Sequence, residues 1–139
     1  MSEPQMPVPA HMPMRSPLGR ALGLGSAKEG VEHWLAQRIT AIALLPLSLW
    51  FVSAVISLVG ADLETVQNWV SQPLAAILLV LLLIAMFYHL ALGIQVVIED
   101  YVHTELARLG LVVVVRLLSF GFAVAGIFAV LSIAFGSMN

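Results

Sequence analysis

The stretch PLAAILLVLLLIAMFYHLALGIQVVI, residues 73–98, decides how the whole chain is read. From Thr65 to Ile98 there is no Asp, Glu, Lys or Arg. An apolar run of that length predicts a membrane-spanning helix. A histidine, His89, stands in the middle of it. At that depth a polar ring is costly unless something holds it. It is therefore hydrogen-bonded, relays protons or ligates a metal. Asp100 and Tyr101 follow where the helix leaves the bilayer.

The rest of the composition agrees with a membrane protein. Of 139 residues, 60% are hydrophobic and only 10% are charged, against about 25% charged in soluble domains. So short a chain cannot hide that much apolar surface in one soluble core. A net charge of −2 with no basic patch argues against nucleic-acid binding. There is no cysteine, hence no disulfide and no thiolate ligand for an iron–sulfur cluster. A metal here would lean on His, on carboxylates or on a cofactor carrying its own ligands.

Working outward, two further spans are predicted. The first covers about residues 39–60, with Pro46 inside it as a candidate kink. The second is the quoted stretch, opened by Gln72-Pro73 with proline in the first turn. The third covers about residues 109–135, interrupted only by Arg116, which is near enough to one end to snorkel. The expected fold is an all-α membrane protein, an up-down-up bundle of three transmembrane helices. Residues 1–28 are expected to form a flexible tail without a cleavable signal peptide, and residues 29–139 the anchor domain. Arg15, Arg20, Lys28 and Arg38 precede the first span, whereas the first loop carries Asp62 and Glu64 and no Lys or Arg. Arg108 lies in the second loop, and Arg116 is close to it. The positive-inside rule then puts the N-terminus and the second loop in the cytoplasm and the C-terminus outside. Trp69 is expected at the outer interface, Trp34 and Tyr101 at the inner one. Gly93, Gly110, Gly121, Ala125 and Gly126 permit close helix contact. Three helices make a thin bundle, so partner chains are expected.

On a helix, His89 and Asp100 fall ~20° apart in azimuth and ~16 Å apart along the axis. Gly93 is one turn from His89 on nearly the same face. A ring projecting from the helix with a bare glycine beside it is the geometry an axial haem histidine needs. A histidine hydrogen-bonded to a neighbouring helix is the competing reading, of about equal weight in mid-membrane. Met86 is a haem ligand by type, but it cannot take the opposite axial position from the same helix. Asp100 and Tyr101 read either as a charged helix end with an aromatic belt residue, or as a phenol donor and a proton-carrying carboxylate beside a quinone. Glu99 is expected to be solvated. Arg38, where the first span enters the bilayer, reads either as a snorkelling residue or as a contact for haem propionate, lipid phosphate or a docked partner. Trp34, Gln37, Arg38 and Ala41 share one helix face there.

Two segments carry a resemblance: HLALGIQVVIEDYV, residues 89–102, and GVEHWLAQRITA, residues 30–41. Together with the three-span layout they resemble the D-type hydrophobic membrane anchor subunit of succinate dehydrogenase, complex II, over roughly residues 26–107. The third helix matches only in its hydrophobicity. The resemblance implies a bacterial cytoplasmic (inner) membrane protein of the respiratory chain and tricarboxylic acid cycle. It implies a flavoprotein subunit, an iron–sulfur subunit and a companion cytochrome b-type anchor as partners, within membrane lipid. It also implies one haem b shared between the two anchors, and ubiquinone as substrate. On that reading His89 is one axial ligand of the haem iron and Gly93 gives clearance for the haem. Tyr101 hydrogen-bonds the quinone and Asp100 stands beside it. Arg38 faces the haem propionate or quinone region. Some relatives carry a histidine where Glu32 stands here. Succinate oxidation itself is expected on the partner subunits, since the chain has neither cysteine nor a nucleotide-binding glycine motif.

Three rival readings remain at this stage. One is a fumarate reductase anchor of the same architecture. Another is a structural or assembly membrane protein in which His89 is a buried hydrogen-bonding residue. The last is a small transporter with His89 as a proton relay, but the paired intramembrane acids and internal repeat of such proteins are missing.

Overall fold

The computed structural model describes residues 28–136, which form four α-helices: α1 (Lys28–Ser57), α2 (Leu63–Val70), α3 (Pro73–Tyr101) and α4 (Glu105–Gly136). Among the described residues there is no strand. All of the expected tail before residue 28 lies outside them. Helices α1, α3 and α4 have 30, 29 and 32 residues and are long and apolar enough to cross a membrane. At ~1.5 Å per residue each exceeds a hydrocarbon core of ~30 Å. The three-span, all-α expectation therefore holds.

The helices overrun the predicted spans at their ends. α1 begins at Lys28, well before residue 39, because no proline interrupts residues 28–38. It continues through Pro46 and closes at Ser57. A turn follows, in which Gly60 takes a positive φ of 83° that side-chain-bearing residues rarely adopt. α3 begins as its sequence predicts, with Pro73 in the first turn after an extended Gln72.

The first loop, read in the sequence only for its charges and for Trp69, contains α2. The Asp62 carboxylate accepts a hydrogen bond from the Thr65 backbone N–H at 3.0 Å, which caps that helix. Trp69, expected at the membrane interface, stacks on Trp50 of α1 with ring centroids 5.7 Å apart and an interplanar angle of 25°. Hydrogen bonding from Thr65, its hydroxyl first and its backbone N–H second, holds the Asp62 carboxyl below 3.8. A carboxyl lowered in the folded state stabilises the cap above the unfolded value, and that contribution is lost as pH falls through the lowered value. Thus α2 is expected to keep its cap at neutral pH and to fray only in acid, as pH falls through the lowered value. Asp62→Ala should fray it at neutral pH as well. Thr65 amide protection, corrected for intrinsic exchange, checks both.

α3 is the middle helix. It packs on α1 along one side and on α4 along the other, while α1 and α4 do not pack on each other among the described residues. Most buried residues accordingly lie on α3: Ala75, Ala76, Leu79, Leu82, Leu92 and Ile98. Phe87 of α3 and Phe122 of α4 stack at 6.3 Å. Of the small residues expected at helix contacts, Gly126 meets a neighbour: a Cβ there would lie 3.2 Å and 3.3 Å from the two methyl carbons of Leu83. Gly93, Gly110 and Gly121 face no neighbour within the described chain. Gly126→Ala should be mild, because the end of Leu83 can shift. Gly126→Leu should weaken the α3–α4 contact by about 1–3 kcal/mol through overpacking. Denaturant unfolding in detergent micelles measures the difference.

Among the described residues no large side chain is fully buried. In the most apolar 18-residue window of α1, none of the residues is buried inside the chain. The chain thus presents long apolar helix faces that lipid or other subunits must cover.

Candidate functional site

His89 emerges from α3 toward α1, where Thr40 receives it. The Thr40 Oγ1 and His89 Nδ1 atoms are 2.9 Å apart, a hydrogen bond between residues 49 apart in sequence. The same hydroxyl lies 2.8 Å from the Ala36 carbonyl oxygen and 3.1 Å from that of Gln37, to which it donates along its own helix. His89 is half-buried. Its other ring nitrogen, Nε2, makes no hydrogen bond among the described residues. One turn further along α3, a Cβ added to Gly93 would meet nothing within 4 Å. The flank of α3 beside the imidazole is therefore open on this chain.

The other predicted residues are placed separately. Tyr101, the last residue of α3, is 78% exposed, and Asp100 beside it is exposed too. The Tyr101 carbonyl oxygen is 3.1 Å from His103 Nδ1, a contact that ties the turn into α4. Arg38 is exposed, with its guanidinium carbon 5.3 Å from the centre of the Trp34 ring. This cation–π contact sits on the face where Trp34 and Arg38 were expected to lie together. Among the described residues no group of three or more His, Asp or Glu is placed to hold a metal ion.

α1 and α4 both pack on α3 without packing on each other, and residues of all three helices line a cavity of about 940 Å³. None of the predicted site residues lines it. Its walls include Glu32, His33, Gln95, Glu99, Arg116 and Ser119, with an apolar part formed by residues such as Ile84, Phe87 and Ile127. At its polar end Arg116 Nη2 donates to Gln95 Oε1 at 2.7 Å, and Gln95 Nε2 donates to Glu99 Oε1 at 2.7 Å. One amide thereby joins a cation on α4 to an anion on α3. Arg116 is exposed, as snorkelling requires, but its head group ends on Gln95. Glu99 is exposed as expected and still holds a partner. The buried His33 Nε2 has no hydrogen-bond partner among the described residues.

Sequence reasoning assigned no role to Thr40 or Gln95, and gave Arg116 a snorkelling role without its partner. For Gln95 and Glu99 a signal existed, since polar residues four apart share a helix face. For Thr40 the signal was weaker: a hydroxyl inside an apolar span is a candidate partner for any polar group on a neighbouring helix.

Fold and site together define a small integral membrane protein, a three-span helical unit with one imidazole held between its first and second spans. The chain belongs to the succinate dehydrogenase/fumarate reductase transmembrane subunit family, whose pattern matches residues 12–131. The match runs past the segments that carry the resemblance and takes in most of α4. The chain is 40% identical over 116 residues to the succinate dehydrogenase hydrophobic membrane anchor subunit of Rickettsia bellii, covering 84% of this chain and 93% of that one. The same subunit of Rickettsia conorii is 34% identical, over 70% of this chain and 79% of its own. That of Paracoccus denitrificans is 33% identical, over 62% and 67%.

Proposed function

We propose that this chain anchors a succinate dehydrogenase in the bacterial inner membrane, supplies one axial ligand to a haem b and forms part of a ubiquinone-reduction site. The observation that carries the proposal is the environment of His89. An imidazole inside a membrane span has one nitrogen engaged by Thr40 and the other without a hydrogen bond, next to an open glycine flank. A histidine kept only for hydrogen bonding needs no such free nitrogen or clearance. These residues fit the group: His89 would hold the iron, and Gly93 would leave room for the plane of the ring system. The second ligand would come from a companion anchor, whose arrival would also cover the bare faces of α1. A bound haem would supply one-electron chemistry within the membrane.

Tyr101 and Asp100 stand at the end of α3, exposed and adjacent, where they would meet a quinone under a docked partner. The Tyr101 phenol would donate a hydrogen bond to a quinone carbonyl oxygen, and Asp100 would carry protons to it. The flavoprotein and iron–sulfur subunits would dock on this side. The positive-inside rule makes it cytoplasmic, with the C-terminus on the periplasmic side. Arg38, held over Trp34, would face the haem propionate or quinone region from α1. A fumarate reductase anchor would use the same architecture. The named relatives above are succinate dehydrogenase subunits, which favours the succinate-oxidising assignment.

The test is to purify the tagged chain from gently solubilised membranes and record a reduced-minus-oxidised spectrum on the same eluate. Flavoprotein and iron–sulfur subunits together with a b-type signal are expected. A chain recovered alone and without haem would sink the proposal. Tyr101→Phe tests the quinone part separately. It should slow quinone reduction roughly ten-fold, the effect of one hydrogen bond of about 1.4 kcal/mol. Succinate oxidation with a soluble artificial acceptor should be unchanged. Parental quinone kinetics would remove Tyr101 from the site.

A further inference from the structure

We infer that Thr40 is a positioning residue for His89: its hydroxyl oxygen accepts a hydrogen bond from Nδ1–H and thereby presents an unprotonated Nε2 to iron. The inference rests on the haem reading above, which it deepens.

The argument is a count of protons. A threonine hydroxyl has one proton and two lone pairs, and a neutral imidazole has one N–H and one bare nitrogen. Thr40 Oγ1 lies within hydrogen-bond reach of the Ala36 and Gln37 carbonyl oxygens and of His89 Nδ1. Carbonyl oxygens only accept, and the Ala36 oxygen is the nearest of the three partners at 2.8 Å. The hydroxyl proton goes there, so a lone pair faces Nδ1. Two facing lone pairs 2.9 Å apart would repel, hence Nδ1 brings the proton. A neutral ring protonated on Nδ1 leaves Nε2 bare, which is the tautomer that ligates through Nε2.

Direction matters as much as tautomer. Thr40 is on α1 and His89 on α3, so the bond spans the packed helix pair and fixes the ring relative to both. The hydroxyl is itself held by the backbone of its own helix, which leaves it little freedom to turn. Donation from Nδ1 also raises the basicity of Nε2 and stabilises the oxidised iron. The sequence around Thr40 supplies the remaining requirement. Its neighbours Ile39, Ala41 and Ile42 are apolar and carry no competing polar side chain.

Thr40→Val has nearly the same shape and no hydroxyl; Thr40→Ser keeps the hydroxyl and loses a methyl group. Both are made in the intact four-subunit complex, with His89→Ala beside them. Two readouts besides turnover are taken: the haem midpoint potential, and the rate of haem transfer to apomyoglobin. Thr40→Val should raise the potential and speed transfer about ten-fold, the usual size of a lost outer partner of a metal-bound histidine. Thr40→Ser should stay close to the parent. If Thr40→Val assembles without haem, retention of haem by Thr40→Ser supports the inference in the same way. Parental potential and transfer rate in Thr40→Val would overturn it. Equal disturbance or equal failure to assemble in Val and Ser variants would also overturn it, since that marks a packing role. A His89→Ala complex with the parental low-spin spectrum would overturn the ligand assignment itself, and Thr40 with it. A His89→Ala complex lacking that spectrum, beside an unaltered Thr40→Val complex, overturns the role of Thr40 alone.

Discussion

His89→Ala is expected to abolish the low-spin haem b spectrum of the assembled complex. The imidazole stands in a stretch, Thr65 to Ile98, with no Asp, Glu, Lys or Arg, and its Nε2 makes no hydrogen bond among the described residues. Under the proposed assignment alanine would take away the nitrogen that holds the iron, and with it the basis of a low-spin signal. The fold of the chain itself should change little. His89 contributes one hydrogen bond between α1 and α3, worth about 1 kcal/mol, while the apolar contacts of α3 with α1 and α4 remain. Spectroscopy of the complex, with the haem-to-flavin ratio measured on the same sample, separates these effects. A full low-spin signal in the alanine variant would count against ligation. Loss of the signal with flavoprotein still bound is the expected result.

Gly93→Leu should also deplete the haem, for a different reason. Within this chain a Cβ at position 93 meets nothing within 4 Å. A leucine there costs the anchor's own fold little, and by helix propensity it favours α3 by up to about 1 kcal/mol. On the open flank beside His89, however, its side chain would fill the space assigned to a flat ligand. The expected result is an anchor that inserts and folds normally while the complex carries little haem. Helical content by circular dichroism and haem content by pyridine haemochrome, measured on the same preparation, decide it. Unchanged haem content would show that the haem plane does not lie along this flank. Gly126→Leu serves as the contrast, since that position contacts Leu83 inside the chain. One glycine is open toward an absent neighbour and the other is closed by a present one.

Much of this was legible in the sequence, and the reasons divide by physical scale. Composition and uncharged length identify membrane spans, so three of them could be read directly, as could Pro73 at the start of α3. The importance of His89 followed from the cost of an ionisable ring at that depth. Helix ends were less legible. Residues 28–38 are polar enough to lie outside a bilayer, yet nothing there breaks a helix, and α1 runs on through them. The short α2 was missed because its apolar positions, Leu63, Val66 and Val70, sit among the polar residues of a connecting segment. In hindsight the Asp62 cap and that spacing were its signal. Thr40 as the partner of His89 was beyond a one-dimensional reading. Which face of α1 meets α3 depends on packing, and nothing local in residues 30–41 specifies it. The bridge from Arg116 through Gln95 to Glu99 was hidden for the same reason: each residue has a bland reading alone and acquires a partner only when α3 and α4 lie side by side.

That bridge bears on biogenesis. Arg116 lies in the N-terminal half of α4, where an arginine opposes insertion of a lone span, though by less than the about 2.5–3.5 kcal/mol it costs at the centre. Glu99 precedes it by 17 residues in synthesis, and only residues 102–104 separate α3 from α4. An inserting hairpin can bring the cation to Gln95 and Glu99 before either helix reaches lipid. The second and third spans are therefore suited to leave the insertion machinery as a pair, with their charges already neutralised. The first span carries no such debt and can join the pair afterwards through its contact with α3.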